Sequence, residues 1–196
     1  MTTAEPSWDV GSQALAGPSR LGLASNWPDW VWASLRTDHA GETGAVWIYR
    51  GVLATTRDDE TRAFARAHIE TESRHLREVS AILPRAMRSR LVWLWRILGW
   101  VTGVIPGLLG RDAVFATIEA VETFVDQHYQ EQIDRLRAEA GDAALLSLLD
   151  GWRNDEVAHR DDAAHRQKNA PGFALAVWTR LVRAGSAVAV KVARHV

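Results

Sequence analysis

A Glu-x-x-His pattern that occurs twice is the feature of this sequence that most restricts its fold. Glu72 and His75 form one pair, and Glu156 and His159 form the other. On an α-helix, residues three positions apart share a face, so each pair can direct a carboxylate and an imidazole toward one point. No segment shows the alternation typical of a half-buried strand, so the sequence predicts an all-α fold.

Each pair is preceded by a further glutamate at a similar distance. Glu42 lies 30 residues before Glu72, and Glu122 lies 34 residues before Glu156. Two glutamates plus two Glu-x-x-His pairs, supplied by four inward-facing helices, form the ligand set of ferritin-like bundles that bind two iron or manganese ions. The pattern therefore predicts a ferritin-like four-helix bundle with a dinuclear metal site.

The positions of the turns agree with this arrangement. If the glutamates lie level on antiparallel neighbours, the turns should fall near residues 57 and 139. Asp58 or Asp59 supplies a helix N-cap at the first place, and Gly141-Asp142 supplies a stop followed by an N-cap at the second. Both hairpins are therefore expected to bring their ligands to the same height.

Proline and glycine residues divide the chain into six helical segments, of which the first, second, fourth and fifth carry the ligands. The 47 residues from His75 to Glu122 are too many for a tight turn, so they form the crossover between the two hairpins and contain a helix of their own. We predict helices over residues 32–56, 59–83, 89–105, 112–139, 143–168 and 172–194.

Two stretches without acidic residues, 79–110 and 163–196, combine apolar side chains with arginine and lysine. Trp93, Trp95 and Trp100 lie in the first stretch, which Pro106 is expected to break. Basic residues beside apolar, tryptophan-rich helices suit insertion into an anionic membrane surface. We predict two membrane-facing amphipathic helices, near 89–105 and 172–194, in a peripheral membrane protein; the alternative is that both helices simply cover the bundle.

Composition excludes several other classes. The chain has no cysteine, which excludes disulfides, thiolate zinc sites and cysteine-ligated iron–sulfur clusters. A net charge of −1 gives no indication of nucleic-acid binding. Residues 1–28, rich in Ser, Gly, Ala and Pro, are expected to form a flexible arm before a single domain at 29–196. No targeting signal is evident, so we expect the cytoplasmic face of a bacterial inner membrane.

Further polar residues lie close to the ligands in sequence. Asp155 is placed to accept a hydrogen bond from the distal nitrogen of a histidine ligand, or it is a solvated acid. Tyr129 shares a helix face with a ligand, and Asp38 lies one turn before another; each is either a supporting group or an ordinary packed residue. Glu119 is an alternative ligand, and His68 is expected at the surface.

Local motifs resemble those of the demethoxyubiquinone hydroxylases. The matching segments are Arg36 to Ala45 (with its Asp-His-Ala-Gly-Glu run), Glu72 to Leu76, Ala120 to Glu122 with His128-Tyr129, and Asp155 to Asp161. Thr123 and Gln127 depart from the usual pattern without touching the ligands. The resemblance implies metal-binding and catalytic roles for Glu42, Glu72, His75, Glu122, Glu156 and His159.

The resemblance also implies an activity. It is that of a di-iron monooxygenase of ubiquinone biosynthesis that hydroxylates a polyprenylated demethoxyubiquinol, with O2 as co-substrate and reducing equivalents from NADH. The implied partners are the polyprenyl benzoquinol, an anionic membrane surface and other proteins of ubiquinone biosynthesis. Manganese remains an alternative to iron at such ligands, and iron storage or detoxification is the alternative function.

Overall fold

The structure is a computed structural model, and it describes residues 26–139 and 141–196. In these residues the regular secondary structure is helical, which confirms the predicted all-α class. A short 3-10 helix, Arg85–Met87, lies between the second and third α-helices. The α-helices are α1 Asp29–Thr55, α2 Asp59–Ile82, α3 Val92–Leu109, α4 Arg111–Glu139, α5 Ala143–Arg166 and α6 Phe173–Ala193.

Two helical hairpins, α1–α2 and α4–α5, form the four-helix bundle, and both turns lie where the sequence predicts them. The side chain of Asp58 caps α2 by accepting a hydrogen bond from the backbone N–H of Thr61 at 2.8 Å. Asp142 caps α5 in the same way through the N–H of Leu145 at 2.9 Å. Gly141 precedes it with a φ of 62°, a left-handed conformation that favours glycine.

The core of the bundle consists of two apolar clusters, one toward each end. One cluster contains Leu35, Val79, Ile133 and Leu149 among its buried residues. The other joins the opposite ends of the same four helices. On every bundle helix the predicted ligands lie between the segments that contribute to the two clusters. The polar layer is therefore closed at both ends by packed apolar side chains, which exclude water from it.

The start of the packed domain lies slightly before the predicted boundary. Residues 1–25 of the predicted arm fall outside the part of the chain that the structure describes. Trp27, however, is buried and packs against Trp32, with ring centroids 4.9 Å apart. Its indole N–H also donates a hydrogen bond to Asp142 at 2.8 Å.

Helix α3 packs against α1 at backbone contact distance. A Cβ atom added to Gly99 or Gly103 would overlap the carbonyl oxygens of Gly44 and Ile48, respectively. The glycines of α3 therefore allow the two helices to approach closely. The prediction that Pro106 breaks this helix was wrong, because α3 continues through the buried proline and ends at Leu109.

We expect Gly103→Ala to destabilise the fold, because the added methyl group has no space beside Ile48. Overpacking of this kind costs about 1–3 kcal/mol, against a gain of about 0.5–1 kcal/mol in helix propensity. Thermal unfolding should show a lower midpoint. Gly185→Ala is the matched control, since a Cβ there meets nothing within 4 Å. Equal or higher stability of Gly103→Ala would contradict this packing.

Helix α6 packs on α4 and is the more exposed of the two additional helices. The indole N–H of Trp178 donates a hydrogen bond to Thr117 on α4 at 2.9 Å. Both α3 and α6 are long and apolar enough to cross a membrane. Their outer surfaces carry large exposed side chains, among them Trp93, Leu109 and Phe173.

Candidate metal centre

The six predicted ligands converge in the polar layer between the two core clusters. Each side chain comes from the middle of a bundle helix, and each residue is at least nine-tenths buried. Charged groups at this depth are costly unless they are paired or bind metal ions. The residues are Glu42 on α1, Glu72 and His75 on α2, Glu122 on α4, and Glu156 and His159 on α5.

Their donor atoms form two groups of four that could each hold a metal ion. Within each group the donor atoms lie within 4.8 Å of one another. Both groups contain Glu72 and Glu156, so these two carboxylates could each contribute to holding both ions. The remaining members are Glu42 and His75 in the first group, and Glu122 and His159 in the second.

The relative orientation of these atoms fits metal ligation better than hydrogen bonding. His75 Nδ1 lies 3.0 Å from Glu156 Oε1, and His159 Nδ1 lies 2.9 Å from Glu72 Oε1. Despite these ion-pair distances, all four atoms are buried without an aligned hydrogen-bond partner. Each unsatisfied buried polar atom costs about 1–3 kcal/mol. Because nitrogen and carboxylate oxygen are good ligands for iron and manganese, bound cations would remove this cost.

Hydrogen bonds with neighbouring residues hold two of the predicted ligands in place. Asp155 Oδ2 lies 3.0 Å from His75 Nε2, so the opposite ring nitrogen, Nδ1, faces the cluster. Arg74 donates to the same carboxylate oxygen at 2.8 Å. The hydroxyl of Tyr129 donates to Glu42 Oε1 at 2.6 Å. Asp155 and Tyr129, which the sequence left open as supporting groups, therefore contact predicted ligands, whereas Asp38 forms no such contact.

The positions of two neighbouring residues differ from those considered from the sequence. His68 is buried, not at the surface, and its ring centroid lies 4.1 Å from that of His159. Burial, followed by the nearby His159, lowers the pKa of His68 to about 4, although Asp162 lies 3.0 Å from its Nε2. Glu119, the alternative ligand, is outside the cluster and accepts a hydrogen bond from Gln167 at 2.6 Å.

The cluster attracts positive charge in the absence of metal. Burial lowers the pKa of His75, but the carboxylates of Glu156 and Glu42 outweigh it and raise the pKa to about 11. For His159 as well, burial lowers the pKa, but the carboxylates of Glu156 and Glu72 outweigh it and raise the pKa to about 9. Burial and the charge of Glu156 raise the pKa of Glu72 to about 8. In the metal-free site His75, His159 and Glu72 therefore hold protons at pH 7, and burial also raises the pKa values of Glu42 and Glu122.

Metal loading should release these protons, because ligands bind metal in their deprotonated forms. The pKa values of His75, His159 and Glu72 all lie above 7. Metal binding must displace these protons, so it becomes more favourable as the pH rises. We expect release of at least about two protons per pair of ions, and apparent affinity that rises at least about tenfold per pH unit between pH 6 and 8. Calorimetric titration with manganese(II) in buffers of different ionisation enthalpy measures both. Loading without proton release would contradict the described charge state.

A cavity of about 180 Å³ adjoins the cluster and is lined mainly by α1, α3, α4 and α6, with Glu72 of α2 and Glu156 of α5 at its inner end. Its inner wall includes Glu42 and Glu122, whereas Leu98 and Val182 are typical of its apolar outer wall. Trp95, grouped with the membrane-facing tryptophans in the sequence, is instead buried and lines this cavity. The dimensions of the cavity depend on how closely α3 and α6 approach the bundle.

The fold and the cluster together define a class of protein. It is the ferritin-like helical bundle in which two Glu-x-x-His pairs and two further glutamates can hold two metal ions between four helices. The family described as "Ubiquinone biosynthesis protein COQ7" matches residues 29–193. The chain therefore belongs to this family, as the local motifs indicated.

Curated relatives come from bacteria and mitochondria. The 3-demethoxyubiquinol 3-hydroxylase of Rhodospirillum rubrum is 34% identical over 166 residues, 83% of this chain and 76% of the relative. The human mitochondrial NADPH-dependent 3-demethoxyubiquinone 3-hydroxylase is 32% identical over 161 residues, 80% of this chain and 73% of the relative. The 3-demethoxyubiquinol 3-hydroxylase of Cupriavidus pinatubonensis is 28% identical over 180 residues, 83% and 86% of the two chains.

Proposed function

We propose that this chain is a membrane-associated di-iron monooxygenase that hydroxylates the ring of a polyprenylated demethoxyubiquinol in ubiquinone biosynthesis. The observation that carries the proposal is the buried cluster of four glutamates and two histidines beside an apolar cavity. The names of the relatives supply the ring and the reaction. An iron-storage function has no use for such a cavity, and the family match does not favour it.

The six clustered residues are proposed to hold two iron ions, which when bound supply the reduction and cleavage of dioxygen. Four carboxylates balance the charge of a diferrous pair, and this lowers the cost of burying it. In the overall reaction one oxygen atom enters the ring, and the other leaves as water with two electrons and two protons from the reductant. Manganese is the alternative metal for the same ligands.

Other residues of the chain fix and protect the site. Tyr129 holds the carboxylate of Glu42, and Asp155 holds the ring of His75, so neither ligand is free to rotate away. The apolar core clusters at both ends of the bundle keep bulk water away from the six metal-binding candidates. Exclusion of water limits side reactions of an oxidising site.

The cavity is proposed to receive the benzoquinol ring, with its polyprenyl tail leaving between α3 and α6. Its lining outside the metal cluster is mostly apolar, and Gly185 on α6 contributes to it. A tail of this kind is stabilised by apolar surroundings at roughly 25 cal/mol per Å² buried. The metal cluster and the membrane-facing surface would then lie at opposite ends of one substrate.

We expect Gly185→Leu to raise the KM for a long-tailed substrate by about tenfold, because the new side chain occupies tail space and its Cβ atom meets nothing within 4 Å. A short-tailed substrate should be affected less. Steady-state kinetics with both substrates measures the difference. Gly151→Leu on α5 is the matched control: it is also exposed with open space, but lies outside the cavity. Equal effects of the two variants would argue against this tail path.

We propose peripheral attachment to an anionic membrane, at the cytoplasmic face of a bacterial inner membrane. The exposed apolar side chains of α3 and α6 are accompanied by exposed basic residues, including Arg96, Arg180 and Arg183. Cationic and apolar groups on one helix suit the interface between lipid headgroups and acyl chains. Other proteins of ubiquinone biosynthesis are proposed partners on the same surface.

The reductant is proposed to be a nicotinamide, delivered by direct encounter or by another protein. The family resemblance implies NADH, whereas the human relative is named NADPH-dependent. Parallel assays with NADH and NADPH, each with and without a reductase, decide between the two donors.

The test of the function is hydroxylation by the purified, iron-loaded protein. Anaerobic demethoxyubiquinol is mixed with isotopically labelled oxygen gas and a reductant, and the product is examined by mass spectrometry. One labelled oxygen atom in the ring is the expected result. Cage-sized assemblies that accumulate iron without forming this product would instead support iron storage.

A further inference from the structure

Helices α2 and α5 repeat more than their Glu-x-x-His pairs. One turn before its ligand glutamate each helix carries an aromatic ring, His68 on α2 and Trp152 on α5, and each ring lies near the histidine ligand of the opposite helix. Each ring nitrogen also contacts a carboxylate there: His68 Nε2 lies 3.0 Å from Asp162, and the indole N–H of Trp152 donates to Glu78 at 2.6 Å. These counterparts are all 84 residues apart. Because the contacts are reciprocal, an approximate two-fold axis relates the two halves of the metal centre.

The same axis relates α1 and α4. Each of these helices carries a buried tyrosine seven residues after its ligand glutamate, Tyr49 after Glu42 and Tyr129 after Glu122. Tyr129 donates a hydrogen bond to Glu42 at 2.6 Å, but the equivalent distance from the hydroxyl of Tyr49 to Glu122 is 3.4 Å. Since good O–H···O hydrogen bonds are about 2.5–3.0 Å long, Glu42 is held more firmly than Glu122.

The two histidine ligands differ in the same sense. Asp155 lies 3.0 Å from His75 Nε2, and Arg74 fixes that carboxylate. His159 Nε2, in contrast, makes no hydrogen bond to any residue that the structure describes. The position 84 residues before Asp155 is Thr71, which offers no carboxylate. The donor group that contains His75 is therefore supported at both of its own ligands, and the other group is not.

We propose that the donor group containing Glu42 and His75 binds its metal ion more tightly than the group containing Glu122 and His159. Loss of a supporting partner such as Asp155 typically costs about tenfold to a hundredfold in metal affinity, which sets the expected difference. This inference rests on the proposed function and deepens it. Because the proposed hydroxylation needs both ions, occupancy of the weaker site would determine how much of the protein is competent.

Competition with protons does not reverse this order. Burial lowers the pKa of both histidines, but the ligand carboxylates raise the pKa of His75 further than that of His159. A divalent ion carries twice the charge of a proton, so the same carboxylates attract it more strongly. The contact with Asp155 is also kept, because it involves Nε2 whereas the metal ion binds at Nδ1.

The test is calorimetric titration of the metal-free protein with manganese(II) at a fixed pH. The wild-type protein should bind two ions whose dissociation constants differ by at least about tenfold. Glu122→Ala leaves the first donor group complete, and Glu42→Ala leaves the second complete. The single ion of Glu122→Ala should therefore bind at least about tenfold more tightly than the single ion of Glu42→Ala.

Replacement of Asp155 by alanine should weaken the tighter binding step about tenfold to a hundredfold and bring the two constants together. Asp150→Ala is the matched control on α5. The side chains of Asp155 and Asp150 are 38% and 40% exposed, and each is paired with an arginine, Arg74 and Arg137 respectively. Asp150 contacts no predicted ligand, so this control should keep both wild-type constants.

Introduction of the missing carboxylate should strengthen the weaker site. The repeat places residue 71 at the position equivalent to Asp155, so Thr71→Asp should tighten the second binding step several-fold without tightening the first. Thr71→Asn is the matched control, because it has the same shape without the charge and should gain little.

Helicity, measured for every variant, identifies a misfolded protein. Equal affinity in Glu42→Ala and Glu122→Ala, or the reverse order, would overturn the inference and leave the proposed function intact. If either variant fails to fold, wild-type constants in Asp155→Ala would overturn it in the same way. A folded wild-type protein that binds fewer than two ions would contradict the proposed function, and the inference would fail with it.

Discussion

Replacement of Glu156 by alanine should remove both metal ions and lower hydroxylation by more than about a thousandfold. Glu156 belongs to both groups of donor atoms, so its loss leaves neither ion with a complete set of ligands. Loss of an essential metal typically removes most of a rate enhancement that exceeds a millionfold. Iron analysis of the purified variant, together with the hydroxylation assay, measures both effects.

Two further variants make this prediction specific. Glu42 belongs to one donor group only, so Glu42→Ala should retain roughly one ion per chain while losing hydroxylation. Glu119→Ala is the matched control on α4, because Glu119 lies one turn from a ligand but outside the cluster. It should bind two ions and react at the wild-type rate. Full metal content in Glu156→Ala would exclude a bridging role for that residue.

Simultaneous replacement of Trp93, Trp100 and Leu181 by serine should release the protein from anionic vesicles. These side chains are 59%, 42% and 62% exposed on α3 and α6. Insertion of each into the acyl region contributes about 1.5–3 kcal/mol, so affinity should fall about a hundredfold or more. Vesicle co-sedimentation measures the loss, and iron content verifies that the bundle is still folded.

Charge and apolar contributions to this binding are separable. Replacing the exposed Arg180, Arg183 and Lys191 of α6 by glutamine should weaken binding to anionic vesicles, but not to zwitterionic ones. Turnover of a short-tailed, water-soluble substrate should change little in either set of variants. Vesicle binding that is unaffected by the serine replacements would count against a membrane role for these two helices.

The sequence was most informative where one local rule determined the outcome. The Glu-x-x-His spacing places Glu72 and His75 on one face of a helix whatever the details of packing, and the structure brings them together. The turns followed from the capping chemistry of Asp58 and Asp142, which acts over three residues. Periodicity also indicated six helices, whose ends differ from the predicted ends by a few residues.

Sequence reasoning failed where the outcome depended on contacts between helices. Trp93, Trp95 and Trp100 are alike in sequence, but the close packing of α3 against α1 buries only Trp95. The same packing tolerates Pro106 within α3, where the sequence suggested a break. His68 has no local signal for burial, since its partner Asp162 lies 94 residues away.

The most direct test of this account is anomalous X-ray scattering from crystals of the iron-loaded protein. Two iron peaks about 3.5–4 Å apart are expected between Glu72 and Glu156, one beside His75 and the other beside His159. A single peak in this layer, or iron bound only at other places, would contradict the dinuclear centre on which the proposed hydroxylation depends.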